Sequence, residues 1–227
     1  AVPSPARGLL ARLDALVELV ADRHGLALLP DGRLAAAEAR VAARAAGLAG
    51  RARGRAPGER DAVELLRAVA EGVGLLRVRG DRLEATSLRH AWTQIDEGLR
   101  AGLVYAAWCH RVPWPGFLHG DGVEALVGGR LWVLRLLFGL PAGVEVGVAG
   151  LTATVAGGLG LEAGEGLDRA VAAAFLDPLV ALGVAALDPP PPHPAASLRL
   201  LPKASTVIGS ALVAAGEEVP LASTPAN

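Results

Sequence analysis

The sequence predicts a mostly helical α+β chain made of two similar units joined by a helical linker. Three observations carry that expectation. Residues 61–86, DAVELLRAVAEGVGLLRVRGDRLEAT, read as an amphipathic helix, a glycine stop, a short strand, a turn and a returning strand. That order recurs: LLRAVAEGVGLLRV…DRLEAT and FLDPLVALGVAALD…SLRLLP share helix, Gly-Val or Val-Gly junction, strand, tip and strand. Finally, 52% hydrophobic against 20% charged residues excludes a disordered chain and supplies a core. With aromatics at only 4%, that core must be aliphatic, its helices meeting through alanine.

In chain order, Leu9, Leu10, Leu13, Leu16, Val17 and Val20 have the spacing of one helical face, predicting a helix over residues 8–23 that stops at Gly25. Residues 26–29 are a short apolar run closed by Pro30-Asp31-Gly32, a strand and a turn. Residues 33–48 return to alanine-rich helix, and residues 49–60 (AGRARGRAPGER) form a loop. The third helix starts at Glu59 or Asp61, where acids favour a first turn, and buries Ala62, Leu65, Leu66, Val69 and Val73. Residues 75–78 and 82–85 are strands around the turn at 79–81.

Helix, strand, helix, helix, strand, wing, strand over residues 8–86 resembles the winged-helix superfamily. The resemblance implies a first winged-helix unit there. Residues 87–121 are the linker, with a helix over 87–110 followed by an aromatic loop. Residues 122–215 form a second winged-helix-like unit: helix 122–139, strand 144–148, helix 150–158, helix 167–182, strand 183–187, a proline-rich tip at 188–194, strand 197–201 and a closing helix.

Charge is split between the halves. Residues 1–120 hold 17 arginines and 13 acids; residues 121–227 hold 5 basic and 10 acidic residues, giving the −1 of the whole chain. Arg51, Arg53, Arg55 and Arg60 lie before the third helix, and Arg77, Arg79 and Arg82 on the wing. The resemblance puts both connections beside the face that meets DNA, so these arginines, with Arg67 of the third helix, are the candidate phosphate contacts. The third helix is expected to expose Glu64, Arg67, Ala68 and Glu71, a set poorly suited to base edges. The expectation is therefore a non-enzymatic DNA-associated protein that holds the backbone and reads little sequence. The alternative is a protein-interaction module of a larger complex, or a homodimer formed through residues 122–215, with an exposed apolar strip on 131–138 or 170–175.

Residues 108–121 (WCHRVPWPGFLHGD) alone combine groups suited to catalysis. Adjacent Cys109 and His110 diverge by about 100° on a helix. His110, His119 and Asp121 lack the spacing of known metal sites. The simpler reading is an apolar plug of Trp108, Trp114, Phe117 and Leu118 between the units. The glycine clusters at 72–74 and 157–160 do not match a phosphate-binding spacing. No catalytic residue, metal or cofactor is expected. A lone cysteine excludes an internal disulfide and points to a reducing, cytoplasmic compartment. Residues 146–161 are uncharged over nearly a membrane span, but their five glycines argue against insertion. The absence of methionine, even at position 1, suggests a processed product or a piece of a longer chain.

Overall fold

The computed structural model describes residues 5–48, 59–111, 128–141, 143–161, 171–188, 196–202 and 204–216. The first half runs α1 (Pro5–Asp22), β1 (Leu26–Ala27), α2 (Ala36–Ala45), α3 (Glu59–Val73), β2 (Leu76–Arg79) and β3 (Arg82–Ala85). All six apolar positions predicted for α1 are buried. The helix stops where Gly25, at φ +105°, donates its N–H to the Val20 carbonyl at 2.8 Å. A Cβ at that position would sit 3.0 Å from the Leu83 carbonyl oxygen, so glycine also lets the turn pass close to β3. Buried Ala39, Ala42 and Ala43 let α2 lie against α3. The strands form an antiparallel sheet in the order β1-β3-β2, with Val78 opposite Leu83 and Arg79 opposite Arg82.

The helix expected over 87–110 is two helices, α4 (Leu88–Trp92) and α5 (Glu97–Arg111). Asp96 causes the break: its Oδ1 accepts from the backbone N–H groups of Gly98 (2.8 Å) and Leu99 (3.2 Å), capping α5. Asp14 then pins both pieces to α1. It accepts from Trp92 Nε1 at 2.9 Å and pairs with Arg100 at 3.2 Å, while the Arg100 guanidinium lies 5.6 Å from the Trp92 ring centre.

The second half runs α6 (Arg130–Phe138), β4 (Glu145–Gly147), α7 (Val148–Gly158), a π-helical turn (Ala172–Leu176), α8 (Asp177–Ala181), β5 (Ala185–Asp188), β6 (Ser197–Leu200) and α9 (Ala204–Ala214). Its sheet order is β4-β6-β5, antiparallel throughout, so the two sheets share one topology. The π-turn replaces part of the regular helix expected over 167–182. Pro178 has no N–H to return to the Ala174 carbonyl, and its ring crowds that oxygen. Instead, Arg130 Nε donates to Ala174 O at 3.4 Å. Residues 189–194 of the expected proline-rich tip and residues 167–170 of the expected helix lie outside the described residues.

Both halves meet on α5. It packs against α1 and α3 on one side and α9 on the other, within one contiguous apolar core. A Cβ at Gly102 would lie 2.8 Å from the Ser210 carbonyl oxygen, which fixes how closely α5 and α9 cross. Tyr105 donates its hydroxyl to Leu182 O at 2.7 Å. Residues 146–161 divide between β4 and the eleven-residue α7; among the described residues, no helix is long and apolar enough to cross a membrane.

Candidate functional site

The site suggested by sequence is the surface shared by the start of α3 and the β2–β3 hairpin. The chain brings these two places to one edge. Asp81, in the hairpin turn, accepts from the Leu28 N–H at 2.8 Å; Leu28 bridges to Leu34; and the Leu34 carbonyl accepts from Arg60 Nη2 at 3.3 Å. Arg60 and the hairpin turn therefore flank the same connection. Arg51, Arg53 and Arg55 lie outside the described residues.

Within α3, the expectation that Glu64 and Arg67 are exposed is overturned. Glu64 is 2% exposed and Arg67 9%. Glu64 Oε1 accepts from the Leu34 N–H at 2.8 Å, and its other oxygen accepts from Arg67 Nε at 2.7 Å. Arg67 Nη1 also reaches Glu71 at 2.9 Å. Burial pushes the Glu71 carboxyl pKa above its ordinary range, with Arg67 opposing the shift. The reason is tertiary: α1, α2 and α5 all pack on α3, so the side predicted to face solvent faces protein. Arg67 is a structural cation and leaves the set of candidate DNA contacts. Ala68 and Glu71 are half-buried.

On the hairpin, strand alternation places Arg77, Arg79, Arg82 and Glu84 on one face and Leu76, Val78, Leu83 and Ala85 on the other. Arg79 sits directly opposite Arg82, a like-charge pair that costs stability. Arg82 turns away, donating to the His24 and Gly25 carbonyls at 3.3 and 2.9 Å beyond the end of α1. Arg77 pairs with Glu84 at 3.2 Å; Arg79, whose side chain is 74% exposed, reaches that carboxylate only at 4.0 Å. Nearby Arg33 is held by Asp31, whose carboxyl pKa the guanidinium lowers. Much of the predicted positive charge is thus already partnered within the chain.

A shallow cavity of about 220 Å³ opens beside this face, lined by Val20, Ala21, His24, Gly25, Glu84, Ala85 and Arg89. Arg89 pairs with Glu18 at 3.3 Å, and no lining residue is a serine, threonine or cysteine nucleophile. The other place singled out by sequence, residues 108–121, is described only at its start. Trp108 and Cys109 are buried, and burial pushes the Cys109 thiol up to about 12, so it is not a thiolate at neutral pH. Trp114, Phe117, Leu118, His119 and Asp121 lie outside the described residues. Among the described residues, no three His, Cys, Asp or Glu side chains are grouped to hold a metal.

Sequence reading missed Arg130. It is 0% exposed, donates to Trp108 O at 2.9 Å as well as to Ala174 O, and lies 5.0 Å from the Trp108 ring centre. Trp108 is in the last turn of α5, where carbonyls lack helical partners. Burial lowers the Arg130 pKa to about 10, which leaves it charged at neutral pH. An arginine at a helix start followed by an apolar run offers no signal of such a clamp.

The expected apolar strip on α6 is turned inward: Val133, Leu134 and Leu137 are buried, as are Val171, Ala174 and Phe175. No family model, curated protein or solved structure matches the chain.

Proposed function

We propose that this chain is a tandem winged-helix protein whose two units are locked together by α5, and that it is a non-enzymatic interaction module that does not read DNA bases. The observation carrying this reading is the enclosure of α3. A base-reading helix needs one open face to enter a groove, and α3 is packed by α1, α2 and α5 with its central Glu64 and Arg67 spent on each other. The matching sheet orders, β1-β3-β2 and β4-β6-β5, support the tandem assignment. Selection of wild-type protein against a random duplex pool tests the reading. No motif should be enriched; a reproducible motif would overturn it.

A second reading is favoured by one observation, that Arg60 and the hairpin arginines share an edge. On this reading the protein holds the phosphate backbone through Arg60, Arg77 and Arg79, with Arg51, Arg53 and Arg55 on the connection before α3. Removing two or three of these contacts should reduce the slope of log K against log salt by about 2–3 units, while Arg67→Ala should leave that slope unchanged. Unchanged slopes in the hairpin variants would remove the backbone reading.

A further inference from the structure

We propose that the free edge of β2 docks an extended acidic segment of a partner protein by strand addition; the proposal rests on the interaction-module reading and names its site. In the order β1-β3-β2, β2 is an outer strand. Thr86 N–H donates to Leu75 O at 2.9 Å, and pairing alternates along an antiparallel ladder. Arg77 and Arg79 therefore turn their peptide groups toward β3, whereas Leu76 and Val78 turn theirs outward. Among the described residues, no strand takes up that edge. Leu76 is 2% exposed and its edge is covered, so the open stretch is at Val78, where outward peptide groups are a template for an added strand.

Charge selects the occupant. With Arg82 held at the His24 and Gly25 carbonyls, the outer face offers Arg77 and Arg79 against the single carboxylate of Glu84, which Arg77 already pairs at 3.2 Å; the charge of Arg79, 74% exposed, is left unbalanced there. Between Arg77 and Arg79, on the opposite face, Val78 is 49% exposed. A strand laid along this edge would place alternate side chains beside the arginines and the intervening one beside Val78. The fitting sequence is acidic, apolar, acidic. A phosphate backbone would use the arginines but neither the edge peptides nor Val78.

The register supplies a clean test. Because the Val78 N–H points away from β3, Val78→Pro removes an edge donor without removing a hairpin hydrogen bond, and edge strands accept proline there. The probe is a short fluorescein-labelled peptide alternating glutamate and valine, titrated into the full chain by anisotropy. A lysine–valine peptide is the control and an unlabelled duplex the competitor. Expected are binding that weakens with salt, no binding of the control, and losses of about tenfold or more in both Val78→Pro and Arg77→Glu/Arg79→Glu. Amide hydrogen exchange of the wild-type complex guards against a misfolded proline variant. Val78 should gain protection while Leu76, already covered, and Arg77 and Arg79, already bonded to β3, change little.

Binding untouched by Val78→Pro in a folded variant, uniform protection along β2, or no peptide binding would overturn the proposal. So would a duplex displacing the peptide with losses only in the arginine variant, because that is a phosphate site. Failure here without an enriched DNA motif leaves the interaction-module reading standing, whereas an enriched motif removes that reading by itself.

Discussion

At the scale of single residues, the chain's stability depends on a few buried charges. Glu64 holds the Leu34 N–H and the Arg67 guanidinium. Glu64→Ala leaves both without that acceptor and should cost about 3–5 kcal/mol, read as a lower urea midpoint. Arg130→Met removes the donor to Trp108 O and Ala174 O, at about 1–3 kcal/mol for each stranded carbonyl, checked by the same titration. Asp177, at the exit of the π-turn, gives a pH signature. Burial raises its pKa from 3.8 to about 6, so the folded state binds the proton more readily than the unfolded state. Its stabilising contribution is full below 3.8 and is lost as pH rises through about 6. Asp177→Asn should therefore be more stable than wild type at pH 8, with the difference closing toward pH 4, as followed by melting temperature.

At the scale of elements, backbone proximity and capping decide where helices lie. The α5–α9 crossing depends on Gly102, where a Cβ would meet backbone that cannot rotate away. Gly102→Ala should cost roughly 1–3 kcal/mol despite its better helix propensity, whereas the same change at Gly157, with nothing near its Cβ position, should stabilise or be neutral. Comparing the two urea midpoints separates packing from propensity. Periodicity and stop signals made most elements legible: α3, for instance, was readable from the spacing of Leu65, Leu66 and Val69 and from Gly74. The break between α4 and α5 was not, because Asp96 looks like one more polar residue on a solvent face until its carboxylate is seen capping the Gly98 and Leu99 N–H groups. The π-turn was written in Asp177-Pro178, but its tolerance depends on Arg130, distant in sequence.

At the scale of the molecule, the two halves share α5 and one contiguous core. Single-tryptophan variants reporting from Trp92, in α4 and bonded to Asp14 of α1, and from Trp132, in α6, should unfold at one denaturant midpoint. Separate transitions would show that the α5 contacts do not couple the halves. The same sharing explains the misread site. Helical periodicity correctly marked one face of α3 as apolar, yet it is blind to what covers the opposite face, where the Leu34 backbone meets Glu64. Glu64, Arg67 and Glu71 look like a solvated stripe in sequence because a buried ion-pair network and an exposed one have the same i, i+3 and i, i+4 spacing.

The sequence alone determined most of the helix and strand order, including the strand pairs that give both sheets one order, and the arginines on the hairpin, since these follow from local period, turn residues and side-chain identity. Tertiary structure decided which faces remain open and which charges are already partnered. Burial depends on what arrives from elsewhere in the chain: Leu34 closes on Glu64 from thirty residues before it, and α5 packs on α3 from within the linker.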